Sequence, residues 1–300
     1  MTFPFIPSLL LAETYFPVKD DKGVTAEVIE RSGESGFYRS FEIGDIQDKQ
    51  ERNRILIEKE KNDYIITVWL TFLIDRMGLD VSSLDNHLRV KTVKELRDHI
   101  YLAKECGASN IAFVTGPDPG EEKRQDGMDA LYESFCSIAE EAEKYNMNVL
   151  VEHLDRFAHK KRLLGPIDES VHLIARVQKE HKNVGLAFDT AHSALNGENV
   201  VDAIQVAKPY VQQIHFSNAV LDPKSELYGD HHMQIGQPGF LDNEKIINIL
   251  KMVDELEVRS ESGLRVAVES RTLDKEKLED SALRTKKILE KSLKSLMIKR

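Results

Sequence analysis

An alternation of two residue patterns, repeated eight times along the chain, limits the folds that this sequence can adopt. A short run of β-branched, aromatic and other apolar residues is followed by a longer charged segment in which apolar residues recur every three or four positions. The first pattern is typical of buried strands and the second of amphipathic helices. The predicted strands are 8–12, 37–43, 64–73, 110–115, 148–153, 184–189, 211–216 and 264–269. The clearest predicted helices are 51–61, 93–106, 129–145, 168–180, 200–207, 244–256 and 275–292.

Strands that alternate with helices pair in parallel through right-handed crossovers, and eight such units close naturally into a barrel. We therefore predict an α/β chain folded as a (β/α)8 TIM barrel, with residues 1–300 forming a single domain. The alternative is an open, doubly wound sheet, but neither GxGxxG nor GxxxxGK[ST] occurs in the sequence. The segment 14–33 is predicted as a loop.

Composition narrows the function classes. At 41% hydrophobic and 31% charged residues, the 300-residue chain can bury a large core, which excludes a disordered or disulfide-stapled protein. A formal net charge of −10 argues against binding nucleic acid through the overall field. Cys106 and Cys136 are predicted to be reduced structural thiols of a cytoplasmic protein. The apolar run 9–11 is too short to cross a membrane, so no membrane or targeting segment is expected.

Four consecutive predicted strands, the fifth to the eighth, end in side chains that bind metals. The fifth ends VLVEH and supplies Glu152, and the sixth ends GLAFDTAH and supplies Asp189. The seventh supplies His215 and the eighth supplies Glu269. Because the carboxyl ends of barrel strands open into one shared mouth, we expect these four side chains to converge there.

A carboxylate at the end of a buried strand is costly, since removing an isolated charge from water takes several kcal/mol even after relaxation. An ion pair at a strand end accounts for one such residue, but four in succession favour a site for one divalent metal ion. Three carboxylates and one imidazole form a hard, oxygen-rich ligand set. That set favours Mn²⁺, with Mg²⁺, Co²⁺ and Zn²⁺ as alternatives, although Zn²⁺ usually takes more nitrogen or sulfur ligands.

A second group of polar residues lies in the long segment 218–241, which we expect to cover the active-site mouth. Asp230 and His232 are two positions apart, so both can face the same way in an extended loop. Together with His192, three residues after Asp189, they would bind a further metal or hold substrate hydroxyls. Hydrogen bonds within the loop itself are an equally good interpretation.

The motifs VEHLDRF, FDTAH, IHFSN, GDHHMQIGQPG and VAVES occur in this order. Together they resemble those of the xylose-isomerase-like TIM-barrel superfamily. Within it, the chain is most similar to the sugar phosphate isomerase/epimerase group, which includes ketose 3-epimerases, inosose dehydratases, hydroxypyruvate isomerases and endonuclease IV. The segment GFYRSFEIG, which contains Glu42, is similar to the second strand of this family.

The resemblance implies that Glu152, Asp189, His215 and Glu269 hold one divalent ion and that the two glutamates also act as the acid/base pair. One glutamate would remove the proton beside a ketose carbonyl to give an enediolate, and the other would return a proton. His192 would hydrogen-bond the carbonyl oxygen. Glu42, Arg156, Asp230 and His232 are candidate substrate contacts, although a salt bridge is the ordinary role for Glu42 or Arg156.

The leading hypothesis is therefore a metal-dependent isomerase or epimerase of a small carbohydrate or its phosphate. An inosose-dehydratase-like lyase, an endonuclease IV-like phosphodiesterase and a non-catalytic sugar-binding barrel are the alternatives. Ketose 3-epimerases carry a glutamate and an arginine where this chain has Ala158 and Leu221, which argues against a free-ketose 3-epimerase. Thr71 and Thr115 stand where the nuclease carries two histidines. The expected partner is a small carbohydrate, with no nucleic acid or membrane, and a homo-oligomer is compatible with the sequence.

Overall fold

A computed structural model describes residues 4–260 and 263–297 of the chain. The strands in these ranges are β1 (Phe5–Leu10), β2 (Ser40–Ile43), β3 (Ile65–Trp69), β4 (Asn110–Val114), β5 (Asn148–Glu152), β6 (Val184–Asp189), β7 (Val211–Val220), β8 (Gly229–Met233) and β9 (Leu264–Glu269). The α-helices are α1 (Leu11–Thr14), α2 (Val24–Glu34), α3 (Lys49–Asn62), α4 (Thr71–Met77), α5 (Asn86–Glu105), α6 (Arg124–Glu143), α7 (Ile167–Val177), α8 (Thr190–Leu195), α9 (Val200–Ala207), α10 (Asn243–Glu255) and α11 (Leu278–Met297).

Eight of these strands form a closed parallel barrel, which confirms the predicted (β/α)8 TIM barrel. Strands β1 to β7 pair in sequence, β7 pairs with β9, and β9 pairs with β1 to close the ring. An open doubly wound sheet is excluded because β6 also pairs with β7, so each of the eight strands has a neighbour on both sides. Strand β8 lies outside the ring and pairs antiparallel with the extended end of β7.

Two predicted boundaries are wrong for physical reasons. The apolar run 64–73 is predicted as one strand, but β3 ends at Trp69 and α4 begins at Thr71. A continuous apolar run does not distinguish a buried strand from a buried helix. The predicted loop 14–33 contains a 3-10 turn at Phe16–Val18 and most of α2, whose buried face includes Val28 and Ile29.

The main core lies between the strands and the surrounding helices, and a smaller cluster fills the barrel interior beneath the mouth. The interior cluster consists of Leu10, Trp69, Ala112, Leu150, Ala187 and Ala267. Both cysteines are free thiols, with Cys106 buried and Cys136 half-buried. In the described ranges, no helix combines the length and apolar character needed to cross a membrane.

The segment 218–241 is held in place by Asn218 at the end of the barrel. Its side-chain amide donates to the carbonyls of Gln234 (2.9 Å) and Gly236 (2.7 Å) and its oxygen accepts from the Leu241 N–H (2.7 Å). A Cβ atom at Gly239 would lie only 2.2 Å from this amide oxygen, so the close approach requires glycine. Asn218 therefore fixes the β7–β8 hairpin over the mouth instead of facing a ligand.

Candidate metal and substrate site

The structure brings together the four strand-end residues that the sequence predicts as metal ligands. Glu152, Asp189 and Glu269 are the last residues of β5, β6 and β9, and His215 lies within β7. One ligand atom from each lies within 4.8 Å of the others, and all four side chains are buried. Parallel pairing places Asp189 beside His215 and thereby sets this convergence.

The Asp189 carboxylate shows that this cluster suits a cation. Its Oδ1 accepts the N–H groups of Ala191 (2.8 Å) and His192 (3.0 Å) and so caps α8. Its Oδ2 is buried and has no hydrogen-bond partner among the described residues. Burial, together with the Glu269 and Glu152 carboxylates, raises the pKa of Asp189 well above its ordinary value despite the opposing effect of His192. A divalent cation would satisfy the orphaned oxygen and offset the repulsion among the three acids.

The Glu42 carboxylate orients the His215 imidazole by contact with its Nε2 atom. Its Nε2 lies 2.8 Å from Glu42 Oε2, while its Nδ1 lies 3.0 Å from Glu269 Oε2 and 3.4 Å from Glu152 Oε1. Burial lowers the pKa of His215, but the surrounding glutamates outweigh burial and raise it well above the ordinary value. An imidazole with one nitrogen on a carboxylate and the other on the ligand cluster has the usual arrangement of a metal-binding histidine.

Three of the predicted substrate contacts do not line the cavity at this site. Glu42 is fully buried, where Ser8 Oγ (2.8 Å), Trp69 Nε1 (2.9 Å) and His215 satisfy its carboxylate. Arg156 is turned away and pairs with Glu169, its Nη1 lying 2.6 Å from Oε1. Asp230 is buried behind the cavity wall. Each of the three has protein partners and none lines the cavity in this structure, so contact of Glu42, Arg156 and Asp230 with a substrate stays a prediction.

The His192 ring is held by Asp155, a residue that the sequence pattern does not single out. His192 Nδ1 lies 3.2 Å from Asp155 Oδ2, and its Nε2 lies 3.7 Å from Asp230 Oδ2. Burial lowers the pKa of His192, but Asp189, Asp155 and Asp230 outweigh burial and raise it to about 9. His192 lines the cavity, so it presents a fixed donor beside the ligand cluster.

The β7–β8 hairpin brings His232 into contact with Glu269. His232 Nδ1 lies 2.8 Å from Glu269 Oε1, and its Nε2 lies 3.5 Å from Asp230 Oδ2. The Lys160 ammonium lies 3.1 Å from the same Asp230 oxygen. The backbone N–H of Arg271 donates to the His232 carbonyl (2.7 Å) and ties the hairpin to the segment after β9. Asp230 therefore lies close to three groups that line the cavity, namely Lys160, His192 and His232.

The site opens into a cavity of about 190 Å³ at the mouth of the barrel. One wall carries apolar strand residues and Phe72, and the other carries three of the candidate ligands. The lining residues are Leu10, Glu13, Trp69, Thr71, Phe72, Asp75, Val114, Glu152, Leu154, Lys160, Arg162, His192, His215, His232, Glu269 and Arg271. Asp189 is absent from this wall, so Glu152 and Glu269 are the two candidate ligand carboxylates that can reach a substrate.

The environments of these two glutamates differ. Burial dominates at Glu152 and raises the pKa of its carboxyl group. Burial acts in the same direction at Glu269, but hydrogen bonds from His215 and His232 outweigh it and hold the pKa well below the ordinary value. Two neighbouring carboxyl groups with pKa values moved in opposite directions are a common arrangement for an acid and a base.

Several residues of the site were not found from the sequence. Asp155 lies three positions after Glu152 within the motif VEHLDRF, and Arg271 lies two positions after Glu269, so proximity to a strand end was an available signal. Glu13, Lys160 and Arg162 come from loops and short helices whose path the sequence pattern does not determine. Ala158 packs beside a small apolar cluster, and both it and Leu221 lie outside the cavity lining.

Comparison with known proteins supports the fold over nearly the whole chain. The family model described as a xylose isomerase-like TIM barrel matches residues 30–281. Similar solved structures include D-psicose 3-epimerase from Clostridium cellulolyticum H10, at 16% identity and a TM-score of 0.69 over 96% of this chain and 98% of that chain. The IOLI protein with a zinc atom matches at 14% identity and a TM-score of 0.73 over 97% and 98%. An AP endonuclease of family 2 from Brucella melitensis matches at 15% identity and a TM-score of 0.63 over 91% and 95%. No curated protein matches the chain by sequence.

Proposed function

Since the chain belongs to the xylose isomerase-like TIM barrel family, we propose that it is a divalent-metal-dependent isomerase or epimerase of a small carbohydrate. The observation that carries this proposal is the convergence of Glu152, Asp189, His215 and Glu269 on one point beside a cavity. Several of the similar solved structures are sugar epimerases, which supports the same reaction class. With a volume of about 190 Å³, the cavity has room for about six water molecules, which suits a substrate of monosaccharide size.

In this proposal Glu152, Asp189, His215 and Glu269 hold the metal ion. A divalent cation bound there would polarise a carbonyl group and acidify the neighbouring C–H bond. The hard ligand set favours Mn²⁺, with Mg²⁺ and Co²⁺ as alternatives, and the zinc of the IOLI structure makes Zn²⁺ a fourth metal to test.

Glu152 and Glu269 serve as the acid/base pair because both face the cavity while Asp189 does not. One glutamate removes the proton beside the carbonyl, and the other returns a proton to the same or the adjacent carbon. His192, held by Asp155, donates a hydrogen bond to the substrate oxygen that gains negative charge. Leu10, Trp69 and Val114 exclude water from the opposite wall.

A dehydratase is the second candidate, favoured by the position of His232. This imidazole lines the cavity and lies 2.8 Å from Glu269, so it can protonate a hydroxyl group that leaves from the carbon beyond the proton-abstraction site. The two reactions share their first step and differ in whether water is lost.

The test begins with the metal content of chelator-stripped and reconstituted protein, measured by elemental analysis. We expect about one divalent ion per chain, and its loss in Asp189→Ala. The loaded protein is then incubated with ketopentoses, ketohexoses and inososes in D₂O and followed by NMR. Metal-dependent deuterium incorporation beside the carbonyl supports the proposal, and loss of a hydroxyl identifies the lyase. Two or three zinc ions per chain would instead favour a phosphodiesterase, and no metal after reconstitution would overturn the proposal.

A further inference from the structure

We propose that the substrate carries an acidic group, a carboxylate or a phosphate ester, held by Lys160, Arg162 and Arg271; this substrate class rests on the isomerase function proposed above. All three cations line the cavity that contains Glu152, His215 and Glu269. They come from the β5–α7 loop and from the residues after β9, so the chain places positive charge around a mouth whose floor is acidic.

The polar character of the cavity favours an ionic ligand over a neutral polyol. Apart from Thr71 and the Trp69 indole, every polar side chain in the described lining is an acid, a base or a histidine. Neutral hydroxyl groups both donate and accept hydrogen bonds, and amide side chains, which do the same, are absent from this lining. Ammonium and guanidinium groups only donate, and they bind carboxylate and phosphate oxygens most strongly.

The Arg271 guanidinium is held in place by protein contacts and still has N–H groups available for a ligand. Its Nη2 donates to Glu13 Oε1 (2.7 Å) and its Nε to the other oxygen of the same carboxylate. Phe16 packs against it, with the guanidinium carbon 4.1 Å from the ring centroid. Its Nη1 makes no hydrogen bond with the described residues. An arginine clamped on one edge and stacked on an aromatic ring loses little further entropy when its remaining N–H groups meet an anion.

Arg162 has weaker protein contacts than Arg271. Its Nη1 lies 3.3 Å from the Thr115 carbonyl and its Nη2 3.4 Å from Asp75 Oδ1, both long for N–H···O hydrogen bonds. The backbone around it is firmly anchored, since the Arg162 N–H donates to the Asp155 carbonyl (3.1 Å) and the Leu163 N–H to the Gly116 carbonyl (2.9 Å). A half-buried cation on a fixed backbone with poor partners is suited to receive an external anion.

The competing interpretation is that the cations only neutralise nearby acids. Lys160 faces Asp230 at 3.1 Å, Arg162 faces Asp75, and Arg271 faces Glu13. In that case the cavity would bind an acidic sugar no better than its neutral counterpart. The two interpretations therefore predict different affinities for ligands that share the reacting end and differ only in charge.

The test uses D-fructose, D-fructuronate and D-fructose 6-phosphate, which differ only at C6. Binding to the Mn²⁺-loaded full chain is measured by isothermal titration calorimetry for the wild type, Lys160→Gln and Arg162→Gln. Lys161→Gln is the matched control, because Lys161 lies between the two cations, is exposed and does not line the cavity. We expect at least one acidic ligand to bind about tenfold or more tightly than D-fructose, with most of this preference lost in Lys160→Gln or Arg162→Gln and kept in Lys161→Gln. The ratio between fructuronate and fructose 6-phosphate then identifies the acidic group.

Equal affinity for the three ligands would overturn the acidic-substrate assignment while leaving the isomerase proposal intact. A preference that survives in both Lys160→Gln and Arg162→Gln would show that neither residue holds the acidic group and would also overturn the assignment. The function itself has a separate readout in metal content and deuterium exchange. If the protein takes up no metal and catalyses no deuterium exchange, the proposed function fails as well, whereas a metal-loaded protein that binds none of the three ligands contradicts the acidic-substrate assignment alone.

Discussion

The two sides of the barrel mouth have the same backbone structure, but one side carries mostly apolar side chains and the other carries ionisable ones. Strands β1, β3 and β4 contribute Leu10, Trp69 and Val114 to the cavity, whereas β5, β7 and β9 contribute Glu152, His215 and Glu269. All are parallel strands of one closed ring, so the difference comes from side chains alone. The charged side is costly to bury without a cation, and the apolar side keeps water away and strengthens electrostatic interactions across the cavity.

The two sides of the mouth also depend on each other. Glu42 on β2 and Trp69 on β3 belong to the apolar half of the ring, yet Trp69 donates to Glu42 and Glu42 orients His215. Substitutions on the two sides should therefore separate residues that act directly in the cavity from those that support them.

The largest effect is expected from Glu269→Gln. The substitution keeps the size of the side chain and removes the carboxylate that faces the substrate, so turnover should fall by about a hundredfold or more. Steady-state kinetics and circular dichroism measure the activity and the fold separately. Substantial activity in a metal-loaded Glu269→Gln protein would remove this residue from the acid/base pair.

Asp189→Asn should weaken metal binding while preserving the cap of α8. The amide oxygen can still accept the N–H groups of Ala191 and His192, but the charge is lost. We expect metal affinity to fall by about a hundredfold, given that even supporting residues typically contribute about 10–100-fold. The matched control is Asp242→Asn, which makes the same change at the exposed N-cap of α10. Equal metal affinity in the two variants, by calorimetric titration, would contradict the ligand assignment.

Glu42→Gln tests the support that the apolar half gives to the charged half. Gln keeps an oxygen acceptor but removes the negative charge that supports the His215 imidazole, so metal affinity should fall by about 10–100-fold. Trp69→Phe removes one of the hydrogen bonds to Glu42 and should have a smaller effect of the same kind. A loss of substrate affinity at saturating metal, with unchanged metal affinity, would instead favour Glu42 as a substrate contact.

His192→Ala should lower kcat more than it lowers metal affinity, because His192 lines the cavity and hydrogen-bonds Asp155 outside the ligand cluster. Asp155→Asn should reproduce part of the loss by releasing the ring. Kinetics at saturating metal and a metal titration distinguish the two roles. The opposite pattern, metal lost and kcat retained in the remaining loaded protein, would make His192 a ligand.

The smallest expected effect is a change in the pH dependence of stability caused by Cys106, which lies just before β4 in the apolar half. Burial raises the pKa of this thiol to about 12. The folded-state pKa lies above the unfolded value, so the thiol's contribution to stability is complete below about pH 9 and is lost as the pH rises. Relative to Cys106→Ala, the wild type should lose about 1.4 kcal/mol of unfolding free energy per pH unit above about pH 9. Urea unfolding at several pH values measures this, with the half-buried Cys136→Ala as control. Parallel curves for wild type and Cys106→Ala would contradict it.

The alternation of apolar runs and helical patterns is enough to predict the closed barrel. Buried parallel strands require apolar runs, and the helices that connect them require amphipathic segments, so both patterns are visible in the sequence. The alternation is also enough to select Glu152, Asp189, His215 and Glu269, since an ionisable side chain directly after a buried strand is stable there only with a compensating partner. Because the carboxyl ends of all barrel strands lie at the same mouth, the barrel fold itself predicts that these side chains converge.

Tertiary structure alone decided which polar residues face the cavity. Glu42, Arg156 and Asp230 have the same residue types as true cavity residues, and only three-dimensional packing gives them His215, Glu169 and Lys160 as partners. Lys160 and Arg162 reach the mouth on a loop and Glu13 on the short helix α1, and the direction of both segments depends on contacts distant in sequence. The sequence pattern of a helix or strand predicts which of its side chains are buried. It does not predict which side chain from another element each of them contacts.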